Sequence, residues 1–421
     1  GWAETKATYR LLDNNKVTSE AILMSHKRQT IERMRKYDTV LCVQDTTSLD
    51  FSDHPATEGL GLYSDSETAK GLLMHTTMAV STDGLPLGIL AQQIWTRDPE
   101  ERGKKHKRHS LPTEEKESNK WLKGLDESLS GIPKDVKTVT VCDREADIYD
   151  FFNKAVSGGN DFLVRVQENR RVLEEHKTLI SEIKSQPVSG EIFISIPRDT
   201  RNNRKTRDVR LSVKHCSVTV RAPKNRADSS KLPNLNLYAI LVEEVNPLEK
   251  VQPISWLLLT SLPILSLDDA IEKVRWYKER WKIERYHLTL KSGCTVEELQ
   301  LETKDRLQTA LTIYSIIAWR ILWLRYESEK NSEAPCDIVL KISEWQSLYC
   351  MLHKTPIPPK QPPTLKEAVI MIAKLGGFLA RKGDGEPGVE VIWRGMSRLN
   401  DISPIWAITH SQPLSIDVGN E

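Results

Sequence analysis

Two short apolar runs, each closed by an aspartate, constrain this chain more than any other feature. Thr39 to Val43 (TVLCV) leads into Gln44-Asp45, and Val136 to Cys142 (VKTVTVC) leads into Asp143. Short β-branched runs bounded by polar residues read as buried strands. A carboxylate at the C-terminal end of such a strand faces a crevice rather than the core. Taken alone, each aspartate is more simply a cap or turn residue. Asp143 also has Glu145 and Asp147 as neighbours in CDREAD, so the pattern leaves open which carboxylate points into the crevice.

The rest of the chain arranges itself around these runs. Residues 1–36 read as a charged helical segment. Residues 71–80 and 85–95 read as two strands joined by the turn Ser81-Thr82-Asp83-Gly84. A helical stretch holds Trp121 and Leu125, and another begins near Ala146 with Ile148, Phe151, Phe152 and Ala155 as its apolar stripe. From 162 to 262 the runs FLVRV, EIFISI, VRLSVKH, SVTVRA, LYAILVEEV and WLLLT mark a β-rich block. Leu267 onward is helical, with a proline-rich connector at Pro356 to Pro363 and a last amphipathic helix at Leu365 to Arg381. The expected fold is α/β: a core in two parts, 37–161 and 263–330, interrupted by a β-strand insertion at 162–262 and followed by a C-terminal helical region at 331–421.

Composition excludes several classes. The six cysteines stand singly with no CxxC pair, which argues against a zinc ribbon or a thioredoxin-like site. No window approaches the ~18 uncharged apolar residues of a membrane span, and the interior of the cell is the simplest location. The phosphate loop GxxxxGK[ST], HExxH and GxSxG are all missing. The 60 Lys and Arg against 58 acidic residues leave a net charge of +2, so charge balance does not by itself point to nucleic acid. The clusters from Arg102 to His109 and from Arg198 to Arg210, with Arg221, Lys224 and Arg226, suit phosphates but equally suit solvated loops.

A third segment, WYKERWKIERYHLTLK at 276–291, carries a sharper pattern. On one continuous helix, Tyr277, Arg280, Glu284 and Lys291 fall within about 60° of one another, with Trp276, Ile283, Tyr286 and Leu290 opposite. If this stripe closes over the crevice of Asp45 and Asp143, three carboxylates converge. They would repel one another unless a divalent cation relieved them. Oxygen-only donors suit Mg²⁺ or Mn²⁺, and a two-metal site would serve in-line phosphoryl transfer.

These segments together resemble a known family. VQDTTSLDF at 43–51, VCDREADIYDF at 141–151 and YKERWKIERYHLTLK at 277–291 carry the likeness, supported by FLVRV, WLLLTSLP and AKLGGF. The family is that of bacterial cut-and-paste transposases of the insertion-sequence-four type, with an Asp-Asp-Glu triad. The resemblance implies a ribonuclease-H-like catalytic core with a β-strand insertion. It implies Asp45, Asp143 and Glu284 as catalytic and metal-holding residues, with Mg²⁺ or Mn²⁺ as cofactor. Tyr277, Arg280, Lys291, Arg165 and Trp256 take the places of DNA-contacting residues, with Arg165 and Trp256 assigned to the DNA hairpin; Trp281 and His287 are further DNA-binding candidates beside them, His287 being equally readable as a partly buried surface histidine. It also implies nicking, hairpin formation, hairpin resolution and target joining on double-stranded DNA. The partners would be transposon ends, target DNA and a second copy in a DNA-bridged homodimer, in the bacterial cytoplasm and on the nucleoid, without membrane association. A metal nuclease without strand transfer, or a truncated inhibitory or DNA-binding relative, is the competing expectation.

Departures stand beside the likeness. Leu288 occupies a place where the family has a lysine, and Leu72 and Leu73 occupy places of tryptophans. Family members carry a further end-recognising segment ahead of the point corresponding to Gly1, of which residues 1–36 would be a remnant. Met371, Leu375 and Phe378, around Gly376-Gly377, are expected to meet the second subunit.

Overall fold

The computed structural model describes residues 2–98, 113–196, 206–224, 229–249, 251 and 253–410. The basic cluster at 102–109 lies outside the described residues, as do 198–205 of the second cluster and Arg226. The chain divides into two compact units, Gly1–Glu284 with Gln300–Gln308, and Arg285–Leu299 with Thr309–Glu421.

The first unit opens with helices α1 (Trp2–Leu12) and α2 (Ser19–Met34), the second capped by Thr18, whose hydroxyl accepts from the Ala21 N–H. Its strands are β1 (Thr39–Asp50), β2 (Gly61–Leu62), β3 (Lys70–Ser81), β4 (Pro86–Trp95) and β5 (Lys137–Cys142), then β6 (Asp161–Arg165), β7 (Gly190–Ile196), β8 (Arg207–Val220), β9 (Leu235–Glu244) and β10 (Ser255–Thr260). All belong to one mixed sheet in the order β2-β3-β1-β5-β6-β10-β9-β8-β7, with β4 also paired to β3. β1, β5 and β6 run parallel, and the rest pair antiparallel. The β-rich block is therefore a continuation of the core sheet through the β6–β10 pair.

Strand burial explains the two apolar runs. Val40 to Val43 on β1, and Val139, Val141 and Cys142 on β5, are fully buried. Helices α3 (Asn119–Leu129), α4 (Tyr149–Ser157) and α5 (Leu179–Ser185) contribute to one apolar cluster with the sheet. Trp121, Phe151, Phe152 and Phe162 are its largest fully buried members, with Phe152 stacked on Phe162 at 5.0 Å. In the described part of the second basic cluster, two arginines make cross-strand ion pairs. Arg207 meets Glu244 at 2.5 Å and Arg210 meets Glu191 at 2.6 Å.

The run at 276–291 is not one helix. Helix α6 (Leu267–Lys278), started by a Ser266–Asp269 capping box, ends at Glu279, and α7 (Trp281–Leu288) begins two residues later. Across the join, the N–H groups of Glu279, Arg280, Lys282 and Ile283 bond three residues back rather than four, which tightens the winding. Lys291 then lies in a π-helical turn, Thr289–Gly293.

In the second unit the principal helices are α8 (Lys304–Lys330), α9 (Ile342–His353), α10 (Leu365–Leu375) and α11 (Val389–His410). By length and hydropathy alone α8 is sufficient to cross a membrane, but 61% of its apolar window is buried within the protein. Helices α10 and α11 cross at van der Waals limit. A Cβ on Gly376 would collide with the Val391 carbonyl oxygen, and one on Gly395 with that of Ile372. Met371 and Leu375 are buried in this chain. The close approach that Gly376 permits is thus made to α11.

Candidate active site

β1 runs past the point where its apolar run ends, so Asp45 stands mid-strand rather than after it. The reason is unequal pairing. β5 accompanies β1 only from Thr39 to Val43, whereas β3 stays paired as far as Asp50. Beyond Val43, β1 keeps a neighbour on one side and a gap on the other. Asp143 follows the end of β5 at the same level. Both aspartates therefore lie where two parallel strands finish, the position expected for a ligand-facing group.

Asp143 is also a cap. Its Oδ1 accepts the Glu145 N–H at 2.8 Å at the start of a short 3-10 turn. The ambiguity within CDREAD is resolved by the neighbours. Asp147 is buried and tied to Arg170 at 2.7 Å and to the N–H groups of Gln167 and Glu168. Glu145 is exposed and lies 3.3 Å from Lys120. Asp143 is the carboxylate of the three that lines a cleft with Arg280 and Tyr277.

Electrostatics bind this cluster together. Burial, followed by the charges of Asp143 and Glu284, pushes the Asp45 carboxyl up to about 7, against the pull of Arg280 and of the Thr46 N–H. Burial likewise raises Asp143, with Glu145 adding to it and Arg280 opposing. Glu284 Oε1 accepts from Arg280 Nη2 at 2.5 Å. Burial works against the charge on Arg280, but Tyr277, Glu284 and Asp45 together hold its pKa above the ordinary value.

The cleft has a volume of about 440 Å³ and is lined by Asp143, Arg144, Arg165, Trp256, Tyr277 and Arg280 among others. Trp256 is partly exposed, and its ring meets Tyr277 edge-on at 5.6 Å. Arg165 on β6 donates to the Ser255 carbonyl at 3.3 Å. Tyr277 itself is buried, with burial raising its pKa. Trp281 is 56% exposed, with the Arg280 guanidinium 6.0 Å from its ring. Arg144 was not singled out from the sequence. An arginine directly after a strand-terminal aspartate was the available signal.

His287 and Lys291 belong to the second unit. Lys291 Nζ lies 3.0 Å from Glu297 Oε1, and His287 is buried with its ring 5.4 Å from Tyr286. Leu288 is 36% exposed.

Comparison with known proteins identifies the family. The model of the transposase DDE domain matches residues 74–320, more than half of the chain. This chain belongs to the DDE transposase family. A second model, the Tn5 transposase dimerisation domain, matches residues 316–404. The DDE match includes Asp143 and Glu284, while Asp45 precedes it. Among solved structures, the cryo-EM structure of a piggyBac transposase synaptic complex with hairpin DNA aligns over 71% of this chain at 12% identity and a TM-score of 0.34. The chain spans about half the length of that protein.

DDE transposases are typically metal-dependent, and the donors here suit a hard divalent ion. Asp45 and Asp143 are oxygen donors whose pKa values are raised, and the Asp143 charge contributes to the rise at Asp45. A cation would relieve that repulsion. Glu284 is turned onto Arg280, and among the described residues no three His, Cys, Asp or Glu side chains are gathered closely enough to hold an ion. The sequence expectation was three converged ligands; among the described residues no such group of three is gathered, and Glu284 is held by Arg280.

Proposed function

We propose that this chain is the catalytic region of a DNA transposase that cuts and rejoins phosphodiester bonds at transposon ends. The observation that carries this reading is the half-buried Asp45 carboxyl, raised to about 7 partly by Asp143 and Glu284, near a cleft walled by Arg144, Arg165, Arg280 and Trp256. A binding module gains nothing from like charges held near one another. A site that neutralises them on loading does.

Asp45, Asp143 and Glu284 form the triad in this reading, on a ribonuclease-H-like core. Mg²⁺ or Mn²⁺ would be held by Asp45 and Asp143, joined by Glu284, and would neutralise charge on the attacking and leaving oxygens. Arg280 holds Glu284 ready and limits the repulsion felt by Asp45. Arg144 and Arg165 bind phosphate oxygens at the cleft wall. Trp256 offers an indole face on which an unstacked base rests while a hairpin forms. Trp281 and Lys291 hold DNA, whereas His287 is buried. The sequence of events is a nick, attack of the freed 3′-hydroxyl on the opposite strand to give a hairpin, its reopening, and joining to target. Residues 331–421 serve a DNA-bridged homodimer. The protein acts in the bacterial cytoplasm, at the nucleoid.

A gel-resolved time course on labelled end duplexes tests this reading. Nicked, hairpin and double-end-broken products in order support it. Nicks that never progress to hairpins favour a ribonuclease-H-like nuclease without strand transfer.

A further inference from the structure

The face of the sheet opposite Asp45 carries an unexpected polar layer. Side chains alternate along a strand, so Gln44 and Thr46 point away from the side that Asp45 faces. In the β1–β3 register Thr46 stands opposite His75, and Gln44 opposite Thr77. His75 is only 1% exposed. Its Nδ1 lies 2.9 Å from Thr46 Oγ1 and its Nε2 lies 3.1 Å from Gln44 Oε1. An amide oxygen only accepts, so Nε2 carries the proton and Nδ1 accepts the Thr46 hydroxyl. One neutral tautomer satisfies both contacts. His75 thus grips the two residues that flank Asp45.

Helix α3 closes over this grip. The Trp121 ring meets the His75 ring edge-on at 4.7 Å. Gly124 lies directly above the contact, where an added Cβ would come 2.6 Å from Gln44 Oε1 and 3.1 Å from His75 Nε2. On the other side, the Thr46 N–H reaches the Asp45 carboxylate. A continuous path therefore runs from His75 through the Thr46 side chain and backbone to Asp45.

Stability alone does not account for the layer. Gln44 Nε2, Thr77 Oγ1 and Thr140 Oγ1 are buried without a hydrogen-bond partner among the described residues. Apolar side chains of similar volume would remove that cost.

We infer that His75 is a positioning residue for the triad, fixing the Asp45 carboxylate by holding Gln44 and Thr46. The inference rests on the reading of Asp45 as catalytic. Contacts that orient the residues holding a metal carry about 10- to 100-fold in metal affinity or activity.

Three variants test it in the full chain: His75→Leu, His75→Asn and Gly124→Ala. The measurements are single-turnover nicking of an end duplex, Mn²⁺ binding by electron paramagnetic resonance without DNA, DNA affinity by anisotropy, and the melting midpoint. His75→Leu is expected to slow nicking and weaken Mn²⁺ binding by about 10- to 100-fold, with DNA affinity unchanged. His75→Asn, whose amide oxygen stands near the former Nδ1, is expected to recover much of both through Thr46. Gly124→Ala leaves the His75 side chain in place but crowds the Gln44 amide, and His75 Nε2 less closely, and is expected to move both measurements in the same direction. It decides the matter if His75→Leu does not fold. Parental nicking and Mn²⁺ affinity in Gly124→Ala and His75→Leu would overturn the inference. So would a proportional fall in melting, DNA binding and nicking with no advantage of Asn over Leu, because that is how a purely structural residue behaves. Asp45→Asn in the same assay separates the two claims. If it still nicks, the triad reading fails. If it is inactive while His75→Leu and Gly124→Ala are parental, only the positioning role fails.

Discussion

Asp45→Asn should stabilise the metal-free protein, and by more at high pH than at low. A carboxyl whose folded pKa exceeds its unfolded value holds its proton more tightly when folded. Its stabilising effect is complete at low pH and is lost as pH rises from 3.8, the ordinary value, through about 7. At about 1.4 kcal/mol per pH unit, ionising Asp45 costs on the order of 4 kcal/mol by pH 8, and about 1.5 kcal/mol at pH 5. Asparagine keeps the size and removes the charge. Its gain should therefore grow by about 2.5 kcal/mol between pH 5 and pH 8. The assay is urea unfolding of parent and variant with chelator at both pH values. Added Mg²⁺ at pH 8 should then stabilise the parent and leave the variant nearly unmoved. A gain independent of pH, or a variant less stable than the parent at pH 8, would refute the claim that Asp45 is a half-buried carboxyl strained by its surroundings.

Trp256→Ala should spare the first nick, slow hairpin formation and barely lower the melting midpoint. A uniform drop in all products with a loss of about 3 kcal/mol or more would show a core tryptophan instead. Lys291→Ala should weaken DNA binding regardless of sequence and lower the salt dependence by about one ion; identical salt slopes reject the contact. Asp147→Asn should behave as a structural change, costing about 3 kcal/mol by leaving the part-buried Arg170 guanidinium without its carboxylate. Normal stability with selective loss of cleavage would place Asp147, rather than Asp143, in the chemistry.

Much of the central architecture was legible because it depends on local pattern. The buried strands β1 and β5, the β3–β4 hairpin and the β-rich block announce themselves by apolar runs and turn residues. The extension of β1 to Asp50 does not, because Thr46 to Ser48 are polar and their strand state is imposed by pairing with β3. The break at Glu279-Arg280 also leaves no mark, since neither proline nor glycine interrupts the helical pattern there. That break alters the continuous stripe of Tyr277, Arg280, Glu284 and Lys291 that even winding predicts. Nor does the sequence disclose that His75 lies between the neighbours of Asp45, because only the register of two strands brings them together.

The triad assignment is tested most directly by metal-dependent cleavage of an end duplex by the parent and by Asp143→Asn, with DNA affinity and melting measured on the same preparations. The account predicts that the parent nicks only with Mg²⁺ or Mn²⁺, and that Asp143→Asn binds DNA and melts like a folded protein yet does not nick. Parental nicking by Asp143→Asn would contradict it.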